Sequence, residues 1–211
     1  MALPLESKTA LVTGASKGVG KGIALELARC GCDVAINYHS DREGAEATAA
    51  EIRGMGRAAF PVQADVGKAD DVDRMFAEVA AQFPRLDILV NNAGMQVWKP
   101  LLELEEAEWD RVIATNLKGC FLCTQRAARH MKINGGGRIV NIGSGCNKMP
   151  FPNLVSYTAS KGGDSLQTGE QAIPGEPDIE GFSRRAEDCA PYLAQVDRLL
   201  PSAHRSLGED G

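Results

Sequence analysis

Between an apolar run, Lys8 to Thr13, and a helical repeat that starts at Gly18 lies the segment Thr13-Gly14-Ala15-Ser16-Lys17-Gly18-Val19-Gly20. No other stretch restricts the fold as much. Glycines at 14, 18 and 20, placed where a strand passes into a helix, let the backbone turn tightly and bring the helix N-terminus up to an anion such as a pyrophosphate. The helix rests on Ile23 and Leu27, with Ala24 and Ala28 on the same side, and stops at Gly31. A turn that merely packs a helix onto a sheet could use the same glycines, so the position of the motif, not its composition, favours a ligand.

The alternation then repeats. Strand Asp33 to Tyr38, helix Asp41 to Met55, strand Ala58 to Gln63, helix Lys68 to Phe83 and strand Leu86 to Val90 follow with short connections. A loop through Pro100 leads to a helix from about Glu105 that continues or breaks near Asn116 and runs to Met131. After the glycine hinge 135–137 come strand Arg138 to Ile142, a loop with Pro150 and Pro152, and a helix to about Leu166 with Ser156 as its expected N-cap. Such a pattern predicts an α/β fold, a doubly wound parallel sheet with helices on both faces in three layers.

Composition narrows the function classes. The chain has 211 residues, 44% hydrophobic and 24% charged, as a soluble globular protein does. Its apolar runs are shorter than the roughly 18 residues of a bilayer span, and Met1 to Ser7 lacks the pattern of a signal peptide, so a cytoplasmic protein is expected, with no membrane partner. Charge is balanced up to Gly163 and −6 beyond it. No basic surface for nucleic acid is expected. The six cysteines are expected as thiols, with no metal site, and Cys120-x-x-Cys123 falls inside a helix where a redox pair would need a strand-to-helix turn.

Further motifs line up behind the glycine turn. Asp65-Val66 follows the third strand, Asn91-Asn92-Ala93-Gly94 the fourth, Asn116 lies in the long helix, Ser144 follows the fifth strand, and Tyr157-x-x-x-Lys161 opens the last helix. With Thr13-Gly14-x-x-x-Gly18-x-Gly20 this set resembles the short-chain dehydrogenase/reductase family over residues 8–163. The resemblance implies a Rossmann-type nucleotide-binding fold and an oxidoreductase that moves a hydride between a nicotinamide cofactor and an alcohol/carbonyl substrate. It also implies a homo-oligomer associating through the helices that start at Gly119 and near Tyr157.

The same resemblance assigns roles. Tyr157 would exchange a proton with the substrate oxygen, with Lys161 four residues on and on the same helix face. A phenol ordinarily ionises near ~10 and accepts protons poorly at neutral pH unless a cation stands beside it. Ser144 would orient the substrate oxygen, and Asn116 would hold a water that links Lys161 to solvent. Thr13, Gly14, Ser16, Lys17, Gly18, Val19, Gly20, Asp65, Val66, Asn92, Ala93 and Gly94, with Tyr157 and Lys161, would bind the cofactor, while Asn91 would fix its strand.

Cofactor choice turns on the end of the second strand, where an acid would hold a free ribose 2′-hydroxyl. Asn37, Tyr38 and His39 stand there instead, and Lys17 and Arg42 could attract a 2′-phosphate. NADP(H) is therefore expected over NAD(H).

Residues 164–211 read differently from the rest. They carry Pro174, Pro177, Pro191 and Pro201 but few β-branched residues, so an irregular tail is expected beside a domain of residues 1–163, with a short helical stretch near Pro191 to Leu200. The last strands of the family are expected to be missing. A shifted reading frame or mis-joined coding sequence near Gly163 would account for the break. The alternative function is then an impaired, truncated dehydrogenase that retains at most nucleotide or partner binding.

Overall fold

A computed structural model of the protein describes residues 3–147 and 149–167, so the expectations for residues 168–211 lie outside the described residues. Five strands, β1 (Thr9–Val12), β2 (Asp33–Tyr38), β3 (Ala59–Gln63), β4 (Ile88–Asn91) and β5 (Arg138–Asn141), form one parallel sheet in the order β3-β2-β1-β4-β5. The helices are α1 (Gly18–Arg29), α2 (Arg42–Gly54), α3 (Ala69–Gln82), α4 (Glu106–Ile113), α5 (Gly119–Ile133) and α6 (Val155–Gln167).

Strand alternation divides the core into two layers, because successive side chains of a strand face opposite sides of the sheet. Leu11, Ala35, Val62 and Leu89 pack on one side with Val72, Met75 and Val79 of α3 and Leu122, Cys123 and Ala127 of α5. On the other side Ala10, Val12, Val34 and Ile36 meet Ala24 and Ala28 of α1 and Ala45, Ala49 and Ile52 of α2. The doubly wound architecture is thus the one expected. Pro61 fits because β3 is an edge strand with one paired side, and a missing N–H costs nothing on the other.

Two local features bear on the site. The long helix does not break at Asn116 but widens there into a π turn, Ala114–Lys118, that joins α4 to α5; such turns collect at functional positions. Ser156 is not the N-cap of α6. The N–H of Thr158 donates to the carbonyl of Leu154 (2.8 Å), so the helix is already under way when it reaches Ser156, whose side chain is wholly buried.

Candidate active site

β1 lies between β2 and β4, and the chain leaves it in opposite directions along the sheet. Parallel sheets of this kind open a crevice at such a switch point, beyond the carboxyl ends of the strands. The loops after β1 and β4 meet there. Gly14, at φ +62°, takes a left-handed conformation, and a Cβ on it would stand 2.9 Å from Ala93 Cα. A Cβ on Gly20 would collide with Asn92 Nδ2 and the Gly14 carbonyl. This bare backbone leaves a cleft of ≈ 870 Å³, ample for a dinucleotide, with the N-terminus of α1 facing it.

Of the residues expected at the cofactor, Gly14, Ser16, Lys17, Val19, Gly20, Asn37, Tyr38, His39, Asp65, Val66, Asn92, Ala93 and Gly94 line this cleft. Thr13 stands behind it. Its buried hydroxyl accepts from the N–H groups of Asn92 and Ala93 (3.0 Å each) and donates to the Val90 carbonyl (3.3 Å). Asn92 returns the link, donating through Nδ2 to the carbonyls of Thr13 (2.9 Å) and Gly14 (3.1 Å). Gly18, at φ +59°, shapes the turn from its own side.

Asn37 is a brace as much as a wall. Its Oδ1 accepts from the Gly14 N–H (3.1 Å), and its Nδ2 donates to the Ala64 carbonyl (3.2 Å), so the glycine turn is tied to β2 and to the end of β3. Asp65 is similarly engaged, accepting from the Gly67 N–H (3.0 Å). Arg42, expected near a ribose phosphate, begins α2 and is not among the residues lining the cleft, whereas Lys17 is.

The remaining predicted residues are gathered by one buried amide. Asn116 accepts at Oδ1 from the Met95 N–H (2.8 Å) and donates through Nδ2 to the Met95 carbonyl (2.9 Å) and to Ser160 Oγ (2.9 Å). The Met95 N–H can only donate and its carbonyl only accept, so these two partners fix which way the amide faces. Ser160 passes the link on, donating to the Tyr157 carbonyl (2.7 Å). In this way the floor after β4, the π turn and the first turns of α6 share one network.

Lys161 is buried, and its Nζ donates to the Ile142 carbonyl (2.8 Å). A buried ammonium needs such partners because charge is costly to remove from water. Ser144 lies just beyond β5, its Oγ accepting from the Cys146 N–H (3.3 Å), on a segment whose short helical turn, Gly145–Asn147, packs against α6. Tyr157 is half-buried on α6. Between Asn116 and Lys161 lies a small chamber of ≈ 10 Å³, lined also by Thr13, Asn91 and Thr115, about the room one water needs.

Asn91 does fix its strand, donating to Asn141 Oδ1 on β5 (2.8 Å) and to Thr124 Oγ1 on α5 (2.9 Å). Sequence reading missed Ser160 and Met95. Ser160 sits at i+3 from Tyr157, a small polar residue on the turn that also carries Lys161, and that spacing was the available signal. Met95 acts through its main chain, for which side-chain type gives no sign. Burial pushes the Cys123 thiol up to about 12, which disfavours the thiolate that redox exchange uses.

Residues 8–170 match the family model for short chain dehydrogenases. The chain belongs to that family. Among its relatives, the 3-oxoacyl-(acyl-carrier-protein) reductase FabG of Staphylococcus aureus is 46% identical over 157 residues, which cover 74% of this chain and 64% of that protein. The chain thus spans a little under two thirds of the length of that curated relative. A putative short-chain alcohol dehydrogenase from Sinorhizobium meliloti superposes with a TM-score of 0.76 at 35% identity, covering 93% of this chain and 71% of the other. A metagenomic short-chain oxidoreductase solved in complex with NADP gives 0.75 at 32% identity, covering 92% and 79%. Among the described residues, no helix is long and apolar enough to cross a membrane.

Proposed function

We propose that the protein is an oxidoreductase that uses NADP(H) to interconvert a small alcohol and its carbonyl compound. The observation that carries this reading is the Asn116 network, which joins the glycine-lined cleft to the turn of α6 bearing Tyr157 and Lys161. The bare glycine cradle fits a dinucleotide pyrophosphate, and Tyr157 and Lys161 stand on the neighbouring helix.

When bound, the nicotinamide supplies or accepts the hydride. The residues of the chain handle the proton and the geometry. In the direction of reduction, Ser144 donates a hydrogen bond to the carbonyl oxygen and holds it toward Tyr157, whose phenol gives its proton to that oxygen as the alcohol forms. Lys161, held by the Ile142 carbonyl, places a positive charge beside the phenolate left behind. A water in the chamber between Asn116 and Lys161 would pass a proton from solvent back toward the phenolate by way of Lys161. Oxidation of the alcohol runs the same proton path in reverse.

Preference for NADP(H) rests on the rim near β2. No carboxylate stands at Asn37 to Ser40, and Lys17 lines the cleft; Asp41, which lines it too, is engaged as the N-cap of α2, accepting the Gly44 N–H (3.0 Å). One structural relative, the metagenomic short-chain oxidoreductase, was solved in complex with NADP. Titrating the full chain with NADPH and NADH, then following nicotinamide absorbance with a panel of carbonyls, tests the reading. The expected result is tighter NADPH binding, weakened by Lys17→Glu, together with turnover. NADH bound about tenfold more tightly than NADPH, a difference of roughly 1.4 kcal/mol, refutes the cofactor assignment.

A further inference from the structure

The side-chain amide of Asn91, a buried residue at the end of β4, has two N–H donors, and both are spent in different directions. One goes to Asn141 Oδ1 on β5 (2.8 Å), the other to Thr124 Oγ1 on α5 (2.9 Å). Asn91 and Asn141 are also register partners at the carboxyl ends of their strands. Two strand ends and the helix packed on them are therefore tied at a single point. A donor that loses its acceptor in such a place is costly, so the tie keeps its geometry.

Ile142, the next residue along, carries this tie to Lys161. Its N–H donates to the Asn91 carbonyl (2.9 Å), and its own carbonyl accepts from Lys161 Nζ (2.8 Å). Asn91 thus holds Ile142 twice, once through its main chain and once through the side chain of the preceding Asn141. Asn91 and Lys161 also line the same small chamber. Thr124 lines neither that chamber nor the cleft. Its link to the site runs through the amide of Asn91.

We propose that Thr124 and Asn141 are positioning residues: with Asn91 they fix the Ile142 carbonyl and so hold the Lys161 ammonium on the helix face it shares with Tyr157. This inference rests on the oxidoreductase reading above and adds to it the residues that aim its lysine. An ammonium beside a phenol favours the ionised form, and the attraction weakens with distance. Loosening the tie lets the ammonium move away. Alcohol oxidation, which needs the phenolate to take a proton, should then set in only at higher pH.

The test compares the full chain as wild type, Thr124→Val, Thr124→Ser and Asn141→Leu in two readouts. The first needs no turnover. Reductive methylation of the buried Lys161 is measured by mass spectrometry against the exposed Lys68, and labelling of the buried Cys32 thiol in the same samples registers general unfolding. Thr124→Val and Asn141→Leu should each raise the Lys161 ratio by about 10-fold, the worth of one hydrogen bond, and leave Cys32 unlabelled. Thr124→Ser, which keeps the hydroxyl, should return the ratio to the wild-type value. The second readout is the pH dependence of NADP⁺ reduction with 1-phenylethanol. Thr124→Val should move its midpoint up by about one pH unit and lower kcat at neutral pH while KM is kept. An unchanged Lys161 ratio in both variants overturns the inference. So does a rise matched by Cys32, which marks general loosening, or a fall in kcat that is equal at every pH. If wild type oxidises no alcohol although NADP⁺ binds, the oxidoreductase reading fails, and the labelling alone decides whether the tie positions Lys161.

Discussion

Thr13→Val removes a hydroxyl with almost no change of shape and so isolates the hydrogen bonds that hold the cofactor floor. Two N–H groups, those of Asn92 and Ala93, lose their acceptor, while the Val90 carbonyl keeps the Thr13 N–H at 3.0 Å and is not orphaned. A donor left without a partner costs about 1–3 kcal/mol according to its burial. Both bonds here are only partly buried, so the low end of that range, about 1–1.5 kcal/mol, applies to each, and the sum is about 2–3 kcal/mol. For a domain of this size that corresponds to a fall in Tm of very roughly 5–10 °C. Thr13→Ser keeps the hydroxyl and gives up one methyl, about 0.8 kcal/mol. Urea unfolding followed by circular dichroism should therefore rank wild type above Ser and Ser above Val. A Val variant within about 0.5 kcal/mol of wild type, or a Ser variant weaker than Val, refutes the argument that the hydroxyl, not the methyl, holds the floor.

Gly20→Ala should disrupt the cradle, because its new Cβ meets Asn92 Nδ2 and the Gly14 carbonyl; a loss of about 1–3 kcal/mol in urea and of NADPH binding in a titration is expected. Asp87 gives the protein an acid limb. Burial pushes its carboxyl up, but hydrogen bonds from Lys8, Arg85 and the Thr9 N–H outweigh burial and hold it below the usual carboxylate range. Its folded value is lower than its unfolded one, so its contribution is full above about pH 4 and is lost as pH falls through the folded value. Asp87→Asn should be less stable at neutral pH, and its stability should fall less steeply below about pH 4. Burial pushes the thiols of Cys32 and Cys123 up to about 12, so both should resist a thiol-specific disulfide reagent in mildly alkaline buffer until the protein is unfolded, as mass spectrometry of the labelled peptides would show.

Much of this was legible in the residues themselves. Five alternating strand and helix segments with glycine punctuation give the sheet and its layers, because both periodicities are written in side-chain polarity. The cleft-lining residues follow from position after β1, β2, β3 and β4. What stayed hidden depends on main-chain geometry. Thr13 reads as a cofactor contact in the motif, yet its hydroxyl is spent on Asn92 and Ala93. The π turn at Asn116 leaves no trace in the pattern, since its residues suit an α-helix equally well. Ser156 looks like a cap because serine favours that position, but the left-handed Asn153 and buried Leu154 bring the chain in two residues earlier. Ser160 was overlooked for a similar reason: its importance comes from the amide of Asn116, 44 residues away in the chain.

The central claim is that this chain moves a hydride with Tyr157 managing the proton. Its most direct test is the absorbance change of NADPH on mixing the full chain with reducible carbonyls, wild type beside Tyr157→Phe. The account predicts turnover by wild type and a drop in kcat of about 10²–10⁴-fold in the variant, with NADPH affinity and folding preserved. Turnover that survives Tyr157→Phe undiminished contradicts the assignment of the proton donor. Absence of turnover in wild type, with the cofactor still bound, contradicts the proposal that the protein is an oxidoreductase.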